Sequence, residues 1–488
     1  MSLCARMAQV DYERLHDHLF PGDHDEHAAF LYAGCMDAPG GETRLLIRDV
    51  VPVPDHYFGR SHRGGYRQVA APAVARAAMH CEDQGLHLIW AHSHPGAHDH
   101  VAFSEPDLAT HRRAHPGLIA LTGERTVTSL VFGEAAVAGE AWTPDGAVHH
   151  LSHLDVVGAR AERLTAAPQA VGRAAARFSR QTLMFGAAGQ QAMRQMTVAV
   201  LGAGGGGSLL IQGLAHLGVG RILIVDVDVV SLSNLSRIVG ATLADARWHR
   251  QKVQVMRRMV CRIDPGIKVE AIAGDVSYAA DARRVADADY IFGATDTMMA
   301  RFALNAISHQ YLIPAMQVGA KIVSDPTSGK IELAFAVQRP IDFAGGCLEC
   351  AGAIDPAALH AEQLSDEARR AQRYLDDELV PIIDPSVITL NSLATSMALT
   401  DFQLAATRLA PVGARLNHRV HHAIERVVRE RDADVRPGCR WCDRQADYSV
   451  LASGDELPLP LRPGSSPRTI SRFERALGVI TRRKSAAR

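Results

Sequence analysis

The sequence predicts an α/β protein of two unlike domains, a mixed α+β unit at the N-terminus followed by a doubly wound parallel-sheet unit. Three observations carry this. Between about residues 10 and 140, strand-like runs alternate with an Ala-rich helical stretch at about 70–84. From Thr197 an apolar strand, a glycine run, a helical stretch and a second strand ending at Asp226 follow one another, the βαβ order of a parallel sheet. Histidine is skewed as well: more than half of the 24 lie before residue 120, so the two halves carry different chemistry.

Composition bounds the rest. A chain of 488 residues is long enough for two to four domains at roughly 100–200 residues each. Hydrophobic residues at 47% and charged residues at 22% exclude a disordered or fibrous protein. Lys+Arg 52 against Asp+Glu 53 gives a formal charge of −1, which argues against a nucleic-acid binder. Eight cysteines are too few for a disulfide scaffold, and four of them form two Cys-x-x-Cys pairs, which reads as metal in a reducing compartment. Charged residues follow the N-terminal Met-Ser-Leu-Cys-Ala-Arg closely, and no run of eighteen apolar residues occurs. These features predict no membrane partner and a cytoplasmic address.

The first domain is expected over 1–150. Its strand-like runs are Arg44–Val51, Leu86–Trp90, Gly117–Leu121 and Val127–Phe132. Residues 151–176 are Ala- and Arg-rich and read as a linker, and 177–445 holds the second α/β unit. After that, Pro458, Pro460, Pro463, Gly464 and Pro467 precede Arg468, Arg472, Arg475, Arg482, Arg483 and Lys484, so 446–488 reads as a flexible basic tail.

His92-Ser-His94-Pro follows the strand Leu86–Trp90. Two histidines at i, i+2 on a strand end point the same way and can reach one ion. Asp107, thirteen residues after His94, can supply a third ligand, leaving a position for water. Zinc brings such a water toward a neutral pKa, and a separate carboxylate must then carry the proton. These residues resemble the JAMM (JAB1/MPN/Mov34) metalloproteases, whose pattern is an upstream Glu, then His-x-His-Pro, then Ser-x-x-Asp. The resemblance covers roughly 10–140. It implies zinc on His92, His94 and Asp107, oxyanion support from Ser104, Glu26 as general base, and cleavage next to the C-terminal glycine of a ubiquitin-like modifier. Glu13 and Glu42 are rival bases, but neither precedes an apolar segment ending in glycine as Glu26 does. Twelve residues separate His94 from Asp107, where the family usually has ten, and the longer loop also carries His98 and His100.

Gly202-Ala-Gly204-Gly-Gly-Gly207 follows the strand ending at Leu201, and a helical stretch comes next. Backbone amides at such a turn close on phosphates. Asp226 ends the next strand, nineteen positions after Gly207, as a ribose-binding carboxylate would. Alone this fits an NAD-dependent dehydrogenase. Asp228, Asn234, Arg237 and Lys252 follow, and cations there suit a triphosphate better than a nicotinamide. Asp296, after the strand Tyr290-Ile-Phe-Gly, sits where a magnesium ligand is expected.

With Arg177-Phe-Ser-Arg180-Gln181 upstream, Arg301 and Asn305 beyond Asp296, and the pairs Cys347/Cys350 and Cys439/Cys442, residues 177–445 look like the ThiF/MoeB and ubiquitin-activating-enzyme superfamily. The resemblance implies a Rossmann-like adenylation domain using ATP and Mg2+, with a structural Cys4 zinc knuckle. It also implies ribose on Asp226, phosphates on Asn234, Arg237 and Lys252, magnesium on Asp296, and Arg180 reaching a γ-phosphate, often across a homodimer. The substrate would be a ubiquitin-like protein or sulfur carrier ending in glycine. Of the other cysteines, Cys4, Cys35, Cys81 and Cys261, none lies between the two pairs, where thioester-forming relatives place theirs. Cys261 reads as a buried apolar residue.

Together the two resemblances imply a bifunctional enzyme of a bacterial-type modifier pathway, with antiviral defence among the roles of similar fusions. It would adenylate the modifier's glycine and cleave beside it, handing the product to a separate acceptor such as a conjugating enzyme. The alternative is activation of a sulfur carrier for sulfur transfer, with the protease domain releasing the product. A degenerate scaffold is a further rival, against which the intact Asp296, Arg180 and His92-x-His94 count.

Overall fold

The computed structural model describes residues 2–58, 68–325, 328–363, 385–446 and 448–467. The N-terminal unit holds strands β1 (Ser2–Ala8), β2 (Ala28–Asp37), β3 (Glu42–Pro52), β4 (His87–Ser93), β5 (Val127–Phe132), β6 (Val137–Trp142), β7 (Val148–Val157) and β8 (Glu162–Leu164). Their order is β1-β3-β2-β4-β5-β6-β7-β8, and a parallel β1–β7 pairing closes the first seven into a barrel. Closure removes the free edges of those seven strands. Helices Gln9–Leu19, Ala71–Gln84 and Glu105–Leu121 complete the unit.

Two expectations fail here. Gly117–Leu121, read as a strand, is the last turn of helix Glu105–Leu121. An apolar run of five cannot distinguish strand from buried helix. What decides is the capping box of Ser104 and Asp107 that starts the helix, together with Leu118 and Ile119 packing into the same core as helix Ala71–Gln84. The linker expected over 151–176 is also shorter, because β7 and β8 keep residues to Leu164 in the first sheet. Leu154 and Val156 are buried in that barrel's core.

The second sheet runs β11 (Lys268–Ile272), β10 (Arg221–Val225), β9 (Thr197–Leu201), β12 (Tyr290–Gly293), β13 (Ala315–Ser324), β14 (Ile331–Ile341), β15 (His418–His422), β16 (Val427–Arg431). The pairings from β11 to β13 are parallel and the remainder antiparallel. Helices Gly205–Leu217, Lys252–Ile263 and Ile388–Ala406 cover one face through a shared apolar core. The other face packs helix Met298–Gln310 together with Met36, Leu46 and Val157 of the first domain, so a single core spans both units. Buried Arg6 reaches Asp289 at 3.1 Å across this junction, and Arg444 reaches Asp11 at 2.7 Å. Among the described residues no helix is long and apolar enough to cross a membrane.

The tail expected to be flexible from residue 446 is a packed strap as far as the described residues run. Leu451 and Ala452 are buried, Gly454 pairs with Cys35, and Asp455 accepts from Asp37 N at 3.0 Å, Arg283 at 2.7 Å and Tyr311 Oη at 3.2 Å. Gly454 needs to be glycine: its φ is +59°, and a Cβ would stand 2.1 Å from the Cys35 carbonyl oxygen. Prolines that look like a loose tail fix this non-helical path. The basic residues from Arg468 onward lie outside the described residues.

Candidate functional site

Two constellations stand out, one in each domain. In the first, β4 delivers His92, and His94 follows one step past the strand end. Register explains their neighbours. Ala28 of β2 pairs with His92, which brings the preceding Glu26 beside the strand end, and β5 flanks His92 through Val131. Helix Glu105–Leu121 then presents Asp107 from its first turn. The Asp107 carboxylate caps Ser104 N at 2.8 Å and accepts from Ser104 Oγ at 2.6 Å, while its Oδ2 lies 3.6 Å from His92 Nε2 and 3.3 Å from His94 Nε2.

These separations match the edges of a tetrahedron, about 3.4 Å for ligands about 2.1 Å from zinc. His92 Nε2 is buried without a hydrogen-bond partner, so the donor set fits an ion. Burial would raise the Asp107 carboxyl, but the two imidazoles and Ser104 overcome it and hold the group well below the carboxylate range. A cavity of about 80 Å3 is lined by Glu26, His92 and Asp107 among others. The structure thus brings together Glu26, His92, His94, Ser104 and Asp107. Rival Glu13 instead pairs with Arg415 at 2.8 Å, and Glu42 with Arg44 at 3.1 Å. His98 and His100 point to Glu134 and Asp99 at the surface rather than to this set.

The second constellation lies where the strand order reverses, outside the carboxyl ends of β9, β10 and β12. Gly202 turns with φ +92°, and the loop enters helix Gly205–Leu217. Asp226 Oδ2 accepts from Ala203 N at 2.7 Å and Oδ1 from Asp228 N at 2.7 Å, so the carboxylate ties the β10 end to the glycine loop. Burial raises the Asp226 carboxyl, opposed chiefly by Lys252. Lys252 Nζ lies 2.7 Å from Asp228 and 3.8 Å from Asp226. Arg237 packs against Gly205, where a Cβ would stand 3.2 Å from its Cδ, and its Nη1 donates to Ser233 O at 2.9 Å. Asn234 caps its own turn through Ser231 N at 3.2 Å. Asp296 is exposed on the loop after β12, where it could hold a magnesium ion beside the crevice.

Sequence reasoning missed Asn391, whose amide nitrogen would lie 2.5 Å from a Cβ on Gly205. It comes from helix Ile388–Ala406, and no motif marks it. Arg180 is not gathered in: it is exposed and has no hydrogen-bond or ion-pair partner among the described residues. Arg301 and Asn305 serve elsewhere. Arg301 donates to Ala353 O at 3.0 Å and Asn305 Oδ1 accepts from Leu348 N at 3.1 Å, so both hold the loop of the first cysteine pair.

In the cysteine set, Cys347 Sγ lies 3.7 Å from Cys439 Sγ and Cys350 Sγ 3.6 Å from Cys442 Sγ. All four sulfurs lie within 4.8 Å of one another. A tetrahedral zinc with Zn–S of about 2.3 Å has edges of about 3.8 Å, so the set is compatible with structural zinc. Buried Trp441 donates to Glu349 at 2.8 Å beside it. Cys261, expected in a core, is exposed on helix Lys252–Ile263, because that helix turns Val253, Met256 and Val260 inward instead.

Residues 178–399 match the ThiF family model. The segment spans the glycine loop, Asp226, Lys252 and Asp296. Over 158 residues the chain is 35% identical to the tRNA threonylcarbamoyladenosine dehydratase of Bacillus subtilis, covering 32% of this chain and 61% of that protein. It is 36% identical over 133 residues to the molybdopterin-synthase adenylyltransferase of Escherichia coli, covering 27% of this chain and 52% of that protein. It is also 36% identical over 132 residues to the E. coli sulfur carrier protein ThiS adenylyltransferase, covering 27% and 52%. The chain therefore spans little more than half the length of these relatives, within its ThiF-like domain.

Proposed function

We propose that the ThiF-like domain adenylates the C-terminal glycine of a ubiquitin-fold sulfur carrier, using MgATP, and that the N-terminal domain is a JAMM-type zinc peptidase acting beside the same glycine. One observation carries the first half: Asp226 is bonded to the Gly202–Gly207 loop, Lys252 lies beside Asp226 and Asp228, and Arg237 packs on Gly205, all in the segment that matches the ThiF family. Two of the relatives are adenylyltransferases named for molybdopterin synthase and ThiS, which favours a sulfur carrier over a conjugated modifier. The absence of any cysteine between Cys350 and Cys439 agrees, since the adenylate then passes to a separate acceptor.

In this reading the glycine amides and the N-terminus of helix Gly205–Leu217 hold phosphates, and Asp226 accepts from ribose hydroxyls. Lys252 and Arg237 neutralise charge as a carboxylate oxygen of the carrier attacks the α-phosphorus and pyrophosphate leaves. No protein base is required, so positioning and charge do the work. Asp296 would hold the magnesium. Arg180 would act on a second copy's nucleotide in a homodimer.

In the N-terminal domain His92, His94 and Asp107 would hold zinc, which when bound supplies a water of near-neutral pKa. Glu26, lining the same cavity, takes that proton and returns it to the leaving amine. Ser104 Oγ donates its single O–H to Asp107, and would support the oxyanion only by turning that hydrogen away from the carboxylate. The two Cys-x-x-Cys pairs, read as metal thiolates of a reducing compartment, support a cytoplasmic setting for this pathway.

The experiment is mass spectrometry of a small ubiquitin-fold protein ending in Gly-Gly, with and without a C-terminal extension, incubated with the chain, Zn2+ and MgATP. An AMP adduct supports the first activity and loss of the extension the second. Absence of both products, together with no ATP–pyrophosphate exchange, rejects the reading.

A further inference from the structure

Helix Glu105–Leu121 carries Asp107, His111 and His115 at i, i+4 and i+8, so all three lie along one face. Asp107 belongs to the His92–His94 set. The two histidines serve none of the chemistry above. They meet Glu140 of β6, and one ligand atom from each of the three lies within 4.8 Å of the other two. His111, His115 and Glu140 are 6%, 1% and 5% exposed. His111 Nδ1 lies 2.7 Å from Glu140 Oε1, which also accepts from Trp142 Nε1 at 2.9 Å. The His115 ring stacks on His111 at 4.7 Å, and its Nε2 lies 3.0 Å from Ser129 Oγ. With Nε2 so engaged, His115 Nδ1 is buried and has no hydrogen-bond partner. A buried ring nitrogen left without a partner is costly, and a bound ion would remove that cost.

We propose that His111, His115 and Glu140 form a second divalent-metal site in the N-terminal domain, taking zinc. Two imidazoles and one carboxylate are a donor set zinc accepts. The contacts from Ser129 and Trp142 are the outer partners that fix a ligand ring and a ligand carboxylate. The set also borders a cavity at one of its members. His111 and Ser129 line the same small cavity as Glu26, His92 and Asp107. The inference needs neither adenylation nor peptidase activity to be correct.

The test is metal content of the full chain, stripped with chelator, reloaded with Zn2+ alone and dialysed. In a His92→Ala/His94→Ala background, which removes the first set, adding His115→Gln is expected to remove one further zinc equivalent per chain. Glu140→Gln, which keeps the shape and the Trp142 contact, is expected to do the same and to reduce the zinc-dependent rise in Tm left in that background to the part supplied by the four-cysteine set. Equal zinc content in the background and in both derivatives overturns the proposal. Should His115→Gln fail to fold, equal zinc content in the Glu140→Gln derivative alone overturns it.

Discussion

Gly207 and Gly204 separate two reasons for glycine in the loop after β9. A Cβ on Gly207 would stand 1.9 Å from the Gly202 carbonyl oxygen and 2.7 Å from its carbon. An ordinary C···O approach is about 3.3 Å, so the loop and the helix would have to part by more than about 1 Å. Both atoms are backbone and cannot swing aside. Overpacking of this kind costs about 1–3 kcal/mol, and a displacement of about 1 Å in a positioning element lowers a rate about 100-fold. Gly204 differs: nothing lies within 4 Å of its Cβ direction, and its φ of −79° suits any residue. If that open space seats phosphate, Gly204→Ala should leave stability within about 0.5 kcal/mol yet weaken MgATP about tenfold or more, roughly 1.4 kcal/mol. Gly207→Ala should lower both stability and the rate of pyrophosphate exchange. Urea unfolding and calorimetric titration with MgATP read the two effects. Wild-type MgATP affinity in Gly204→Ala would refute the placement of the phosphates.

Three further outcomes are expected. Glu26→Ala should abolish removal of a C-terminal extension while leaving zinc bound, whereas His92→Ala should lose both; extension cleavage and metal content distinguish them. Cys439→Ser should release the structural zinc and lower Tm by several degrees, about 2–4 °C per kcal/mol in a domain of this size, read by a thermal melt with zinc assay. Burial, helped by Arg339, pushes His418 down to about 4. Because the folded state prefers the neutral ring, its stabilisation is present above about pH 6.5 and is lost as pH falls toward 4. With allowance for its partial exposure, the wild type should lose about 1–2 kcal/mol relative to His418→Gln between pH 7 and pH 5, and parallel pH profiles of the two would count against it.

Legibility in the sequence followed how local each signal was. The glycine loop, Asp226 at the next strand end, the paired cysteines and His92-x-His94 are fixed by spacing along one or two elements, and each appears where spacing put it. Failures came where an assignment depended on a distant partner. Gly117–Leu121 is apolar enough for a strand until helix Ala71–Gln84 is placed against it. Cys261 passes for core until its helix chooses a buried face. The Pro-rich strap passes for a tail until Cys35 and Asp37 receive it.

The sequence by itself determined the βαβ crevice and its carboxylates, because a period-2 strand, a glycine turn and a helix start are short-range consequences of backbone sterics. Although the sequence singled out Glu26 through its resemblance, only the tertiary structure brings it beside the histidines, through the pairing of Ala28 with His92 rather than through nearness along the chain. It also decided that the two domains share one core, and that His111, His115 and Glu140 meet. Those outcomes depend on contacts between elements far apart in sequence, and packing alone selects them.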